Sequence, residues 1–198
     1  VPDDPRERAT PYERLFIQRR PTPEQWDGFV RDALVPLWLD AYDAATPWAT
    51  HVLEIPQGAL TYLFDMAPSM GDIGDDRVVA VWGRSTAATA PRDRTRQAGF
   101  IPVPQKWSKA GYDRGHFVSH AAGGGMDMNF FPQAKGLNRG SSERGREWRA
   151  LERLTVTRPG TPLLVRPTYA ADGWVPEFID YCIVIDGDLR VERFLNHD

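Results

Sequence analysis

Between Tyr112 and Glu152 the chain gathers residue types suited to acid–base and metal chemistry on a phosphate. Asp113-Arg-Gly-His116 places an imidazole two residues from a guanidinium. In a strand, that spacing puts both side chains on one face. A histidine with a near-neutral pKa can take a proton from water, and an arginine can neutralise a phosphate oxygen. Asn129 and Asn138 offer amide oxygens and Glu152 a carboxylate. Such oxygens are what a hard cation like Mg²⁺ prefers. A base, oxygen donors and a phosphate clamp are together the parts of phosphodiester hydrolysis. Each alone is commonplace. A single histidine among glycines is usually structural, Asn-Arg-Gly is usually a turn, and Trp-x-x-Leu-Glu is usually an amphipathic helix. The set, in this order, carries the signal.

The order resembles that of the DNA/RNA non-specific endonucleases of the ββα-metal (His-Me finger) superfamily. Four blocks match: Asp113-Arg-Gly-His116, Asn129-Phe-Phe-Pro-Gln133, Leu137-Asn-Arg-Gly140 and Trp148-Arg-Ala-Leu-Glu152. The short stretch Gly123-Gly-Gly-Met-Asp-Met-Asn129 is most similar to the short, toxin-like branch, because it compresses the insert that follows the histidine. A weaker match continues through 162–169 and 179–186. The resemblance implies a Mg²⁺-dependent nuclease, with Mn²⁺ able to substitute, acting on DNA and RNA. It implies His116 as general base and Asn138 as direct metal ligand. Glu152 would hold the metal or its water, Arg114 would stabilise transition-state charge, and Asn129 would position the histidine or the metal shell. One departure stands out. Asn138 and Glu152 are fourteen residues apart, which on one continuous helix is roughly 21 Å. Either Gly140–Gly145 loops out, as its two glycines permit, or Glu147 serves in place of Glu152. The intact Trp148–Glu152 block favours the loop.

The elements that must position these residues are partly readable. Trp148, Leu151 and Leu154 share one face of a helix expected from Ser141 to about Thr157, which Arg158-Pro-Gly160 stops. Upstream, Thr22-Pro23 reads as a helix start, and Trp26, Phe29, Val30, Leu34, Leu37, Trp38 and Tyr42 recur at helical spacing. Pro36 interrupts that run and predicts a kink or two abutting helices. Strands are expected at 60–64, 78–82, 163–166 and 181–185, with a last one near 189–194 after Asp186-Gly187. Residues 67–76 read as loop. Residues 84–110 form a long polar connection, and from Arg84 to Arg114 the basic residues Arg84, Arg92, Arg94, Arg96, Lys106, Lys109 and Arg114 are opposed only by Asp93 and Asp113. Arg92, Arg94, Arg96, Lys135 and Arg139 are candidate phosphate contacts. The first 20 residues read as an extended or loosely packed arm. The sum is an α+β fold with a central antiparallel sheet, flanking helices and a ββα-metal nuclease core. Residues 21–198 form one nuclease domain, divided into an N-terminal helical and β-hairpin part (21–99), the core (100–155) and closing strands (156–198).

Bulk properties constrain the rest. The net charge is −3, with 24 basic and 27 acidic side chains, so nucleic-acid affinity is expected to be modest and sharply salt-dependent. Nothing reads as a base-recognition module, so little sequence preference is expected. The lone Cys182 excludes an intrachain disulfide and reads as a buried strand residue. One cysteine and no paired histidine spacing argue against zinc. His120 reads as structural or solvent-facing, and His51 and His197 have no nameable partner. No membrane span or signal core is visible. A non-specific nuclease must be restrained, which points to a cytoplasmic or delivered effector, a toxin or defence protein with an inhibitory immunity or regulatory partner. The alternative is an inactive or partner-gated binding descendant of the same fold.

Overall fold

The computed structural model describes residues 11–71, 76–88, 110–170 and 172–197. In chain order the elements are α1 (Pro11–Arg19), α2 (Trp26–Phe29), α3 (Val35–Ala45), β1 (Val52–Gln57), β2 (Leu60–Asp65), α4 (Ala67–Met70) and β3 (Arg77–Arg84). After them come β4 (Tyr112–His116), β5 (Phe130–Ala134), α5 (Lys135–Arg139), α6 (Glu143–Thr157), β6 (Pro162–Tyr169), β7 (Pro176–Ile185) and β8 (Asp188–Leu195). Six strands form one antiparallel sheet in the order β1-β2-β3-β6-β7-β8. The expected α+β architecture with a central antiparallel sheet is what the chain adopts. Between the neighbours β3 and β6 the chain leaves the sheet and builds a separate β4–β5 hairpin followed by α5 and α6.

Both faces of the sheet are covered, which explains why its central strands read as continuous apolar runs and not as alternating ones. Leu163, Val165, Tyr181 and Ile183 point into a core shared with Phe117, Phe131, Trp148 and Leu151. Leu164, Cys182 and Trp82 point the other way, into a core with Tyr12, Trp26 and Trp38. The β7–β8 hairpin turns on Asp186 (φ 53) and Gly187 (φ 89), the two left-handed positions that an Asp-Gly pair supplies.

The N-terminal part departs from the sequence reading. Residues 11–19 are not a loose arm: Tyr12 and Phe16 of α1 are buried. The Tyr12 hydroxyl donates to Asp180 at 2.8 Å, and Arg193 holds the same carboxylate at 2.6 and 3.0 Å. Between α2 and α3 a π-helical turn runs over Val30–Leu34 and Pro36 follows it at once. The proline has no N–H to give, and the wider turn accommodates this. Its extra residue also rotates the next stretch, so Leu37 is 44% exposed while Val35 is buried. Within 67–76, expected to be loop, Ala67–Met70 forms one helical turn. The edge strand β1 gave no signal, because Glu54 and Pro56 break its apolar pattern and the strand is largely exposed.

Candidate active site

The β4–β5 hairpin carries the first block. Its register pairs Asp113 with Gln133, Arg114 with Pro132 and His116 with Phe130. Alternation puts Arg114 and His116 on one face and Asp113 and Gly115 on the other. Gly115 has no room for a side chain, since the side chain of Gln133 crosses it. The His116 ring is half-buried and rests on Phe130 at 4.9 Å between centroids. Its Nε2 is shielded from solvent. Next along the chain, Phe117 stacks on Phe131 at 4.5 Å, and Phe131 meets Trp148 of α6 edge-on. The strand bearing the imidazole is thereby tied to α6. Burial draws the Arg114 guanidinium below its ordinary pKa, but arginine keeps its charge in proteins.

Asn129 is fully buried. Its Oδ1 accepts from Val118 N at 3.0 Å, and its Nδ2 donates to Val118 O at 2.7 Å and Gly125 O at 3.1 Å. Both amide hydrogens are thus spent on the backbone just beyond His116. That geometry suits positioning of the histidine strand.

The third and fourth blocks sit on α5 and α6, which are two helices. Helix α5 ends at Gly140, whose φ of 69 is the left-handed capping conformation. Ser142 then caps α6 by accepting from Gly145 N at 2.9 Å. The break is therefore confined to 140–142, narrower than the expected loop, and Gly145 lies inside α6. It packs so closely on α5 that a Cβ there would meet the Gly136 carbonyl oxygen and sit 3.0 Å from Gly140 Cα. Asn138 and Glu152 consequently do not share one rod. Arg149 lies across Gly140 and reaches Glu152 Oε2 with Nη1 at 3.1 Å. Glu152 itself is 9% exposed. Glu147 is differently engaged. It is paired with Arg144, which also bonds Arg193 O at 2.8 Å and covers the Phe194 ring at 4.5 Å.

Helix α5 and the hairpin meet at Asp113. Asn138 Nδ2 donates to Asp113 Oδ2 at 3.3 Å, and Arg139 holds both carboxylate oxygens at 2.7 and 2.9 Å. The Arg139 hydrogen bonds hold the Asp113 carboxyl below the usual range, opposed by partial burial and helped by Asn138. Arg139, a candidate phosphate contact, is thus bound to Asp113 while 60% of its side chain stays exposed. Lys135 begins α5, half-buried. Arg92, Arg94, Arg96, Lys106 and Lys109 lie outside the described residues.

No protein-family model matches the chain, and no curated protein matches it. Seven solved chains match. One is the Sda1 nuclease with bound zinc ion, at a TM-score of 0.44 and 11% identity, over 78% of this chain and 92% of that one. No helix among the described residues is long and apolar enough to cross a membrane.

The donors available to a metal are oxygens. The Asn138 amide gives its nitrogen to Asp113, which turns Oδ1 away from that carboxylate. Glu152 supplies a carboxylate in a protected position. Among the described residues no three His, Cys, Asp or Glu side chains gather as a metal cage. Amide and carboxylate oxygens are donors of the kind a hard divalent cation takes. Other titratable groups fall elsewhere: His51 and His197 are exposed, and His120 is half-buried with Nδ1 3.4 Å from Gly124 O. Cys182 is fully buried, and burial pushes its thiol well above the usual range. Sequence reasoning gave Asp113 no role, although it stood in the first block. Only the fold brings it to Asn138 and Arg139.

Proposed function

We propose that this chain is a metal-dependent endonuclease that hydrolyses phosphodiester bonds in DNA and RNA with little sequence preference. The observation that carries the reading is the ββα arrangement itself. Arg114 and His116 project from one face of a hairpin, and the helix that follows it is tied to the same strand by the hydrogen bond from Asn138 to Asp113.

In this reading His116 takes the proton from the attacking water, a role open to an imidazole. Phe130 beneath the ring fixes its plane, and Asn129 fixes the chain just beyond it. Arg114 pairs with a non-bridging phosphate oxygen as charge builds on the phosphorus centre. Asn138 Oδ1 and the Glu152 carboxylate would hold Mg²⁺ directly or through its water, with Mn²⁺ able to substitute. Such an ion would supply Lewis-acid stabilisation of charge on the phosphate oxygens. Lys135 and the exposed face of Arg139 extend the contact along the backbone. With few phosphate contacts and a net negative chain, binding is weak and salt weakens it further. Unselective cutting needs restraint in the producing cell. The reading therefore extends to a toxin or defence effector held by an inhibitory partner, and cytoplasmic expression without that partner is expected to stop growth.

The deciding experiment is digestion of supercoiled plasmid and structured RNA with Mg²⁺ or EDTA, comparing the wild type with His116→Ala. Metal-dependent degradation of both substrates by the wild type alone supports the reading. A wild type inert across divalent metals and salt concentrations overturns it in favour of a binding role.

A further inference from the structure

We infer that Asp113 is a positioning residue, which turns the Asn138 amide so that its oxygen and not its nitrogen is offered as a ligand. The inference rests on the nuclease reading and assigns the strand residue to the metal side of the site. A carboxylate accepts hydrogen bonds and donates none, whereas an asparagine side chain is a donor at one end and an acceptor at the other. Opposite Asp113 Oδ2 the amide has one favourable orientation, with Nδ2 toward the carboxylate at 3.3 Å and Oδ1 turned away from it. The reversed amide would set its oxygen against the carboxylate. Arg139 keeps the carboxylate in place, with Nε on Oδ2 at 2.7 Å and Nη2 on Oδ1 at 2.9 Å. This bidentate pair removes the rotational freedom a lone carboxylate would have. The three residues therefore form a chain running from an exposed guanidinium, through a half-buried acid, to a half-buried amide. Asp113 touches neither substrate nor reacting atoms in this account. It acts through Asn138.

The test is direct binding of Mn²⁺ to the purified chain, followed by electron paramagnetic resonance and calorimetry and needing no substrate. Asp113→Asn replaces an acceptor-only group with one that can face either end of the Asn138 amide. Loss of a group orienting a metal ligand is expected to weaken binding about 10–100-fold. Combining Asp113→Asn with Asn138→Asp exchanges donor and acceptor, so that one carboxylate oxygen is engaged and the other is outward. This double variant is expected to recover most of the lost affinity, which a merely structural role for Asp113 would not produce. Circular dichroism follows folding in parallel. If Asp113→Asn fails to fold, the double variant decides alone: recovered Mn²⁺ binding supports the inference, and a folded double variant without binding overturns it. Failure of both to fold also overturns it, because Asp113 would then act on the fold. Unchanged Mn²⁺ affinity in a folded Asp113→Asn overturns the positioning role and leaves the nuclease reading standing. A wild type that binds no divalent ion overturns the metal-dependent reading itself.

Discussion

The side chain of Gln133 lies over Gly115 on the β4–β5 hairpin, 2.9 Å from Cδ to where a Cβ would stand and closer still at Oε1 and Cβ. The strand position between Arg114 and His116 therefore has no space for a methyl group. Gly115→Ala is expected to cost about 1–3 kcal/mol, the usual penalty for overpacking. Cleavage should fall further than stability, because the displaced strand carries both flanking side chains. Thermal unfolding and plasmid digestion measure the two effects. Gln133→Ala should relieve only part of the strain, since the Gln133 Cβ is itself in the way. Full stability and activity in Gly115→Ala would refute this reading of the hairpin.

The helix pair gives a second case. Gly145 of α6 abuts backbone atoms of Gly136 and Gly140, and backbone cannot swing aside as a side chain can. Gly145→Ala is expected to destabilise the chain by about 1–3 kcal/mol and to raise the metal concentration needed for cleavage, because it pries α6 from α5, the helix that carries Asn138. A variant that loses stability with an unchanged metal requirement would show that the α5–α6 spacing does not set the site.

What could be read from the sequence follows physical lines. The strands around Val78–Trp82 and Tyr181–Ile185 were legible because burial on both faces makes them uninterrupted apolar runs. Helix α6 was legible because Trp148, Leu151 and Leu154 recur at helical spacing, the first two buried and the third partly so. Two features were not. Helix α1 is short and buries only Tyr12 and Phe16, and contacts far along the chain make it part of the core: the Tyr12 hydroxyl on Asp180, 168 residues away, and the two rings against Trp38, Trp26 and Phe29. Asp113 in turn looks like any motif acid until the fold brings α5 beside β4. The fourteen-residue gap from Asn138 to Glu152 was visible as a difficulty, and of the two glycines that could break a helix there, Gly140 does so. Gly145 works by close packing inside a helix and not by looping, a distinction no spacing rule carries.

Acid unfolding provides a third test, away from the site. Asp65 is fully buried. Burial pushes its carboxyl upward, but donors outweigh that: His51 N at 2.9 Å, Ala67 N at 3.0 Å, Tyr42 hydroxyl at 2.8 Å and Trp48 Nε1 at 3.2 Å. The net shift is downward. A depressed folded-state pKa contributes stability above the unfolded value of about 3.9 and loses it as pH falls through the folded value. Asp65→Asn is expected to cost about 1–3 kcal/mol at neutral pH. The gap to wild type should then narrow in acid. Denaturant titrations at about pH 7 and about pH 3 bracket the unfolded carboxyl. A gap of equal size at both would show that Asp65 is not held ionised by these donors.

The two asparagines of the site should separate by experiment. Asn129 spends its amide on Val118 and Gly125, so its replacement acts on the strand of His116 and not on a metal. Asn129→Ala strands a buried backbone N–H and two carbonyls and is expected to cost about 1–3 kcal/mol. Asn129→Asp should be worse despite its closer shape. It keeps the acceptor for Val118 N but sets a carboxylate oxygen against the carbonyls of Val118 and Gly125, where neither oxygen can donate while ionised. Both variants should lower kcat with an unchanged Mg²⁺ requirement, whereas changes at Asn138 should raise that requirement. Chemical denaturation orders the stabilities, and cleavage rates across a Mg²⁺ titration separate the roles. A raised metal requirement in Asn129→Ala would move Asn129 from the histidine strand to the metal.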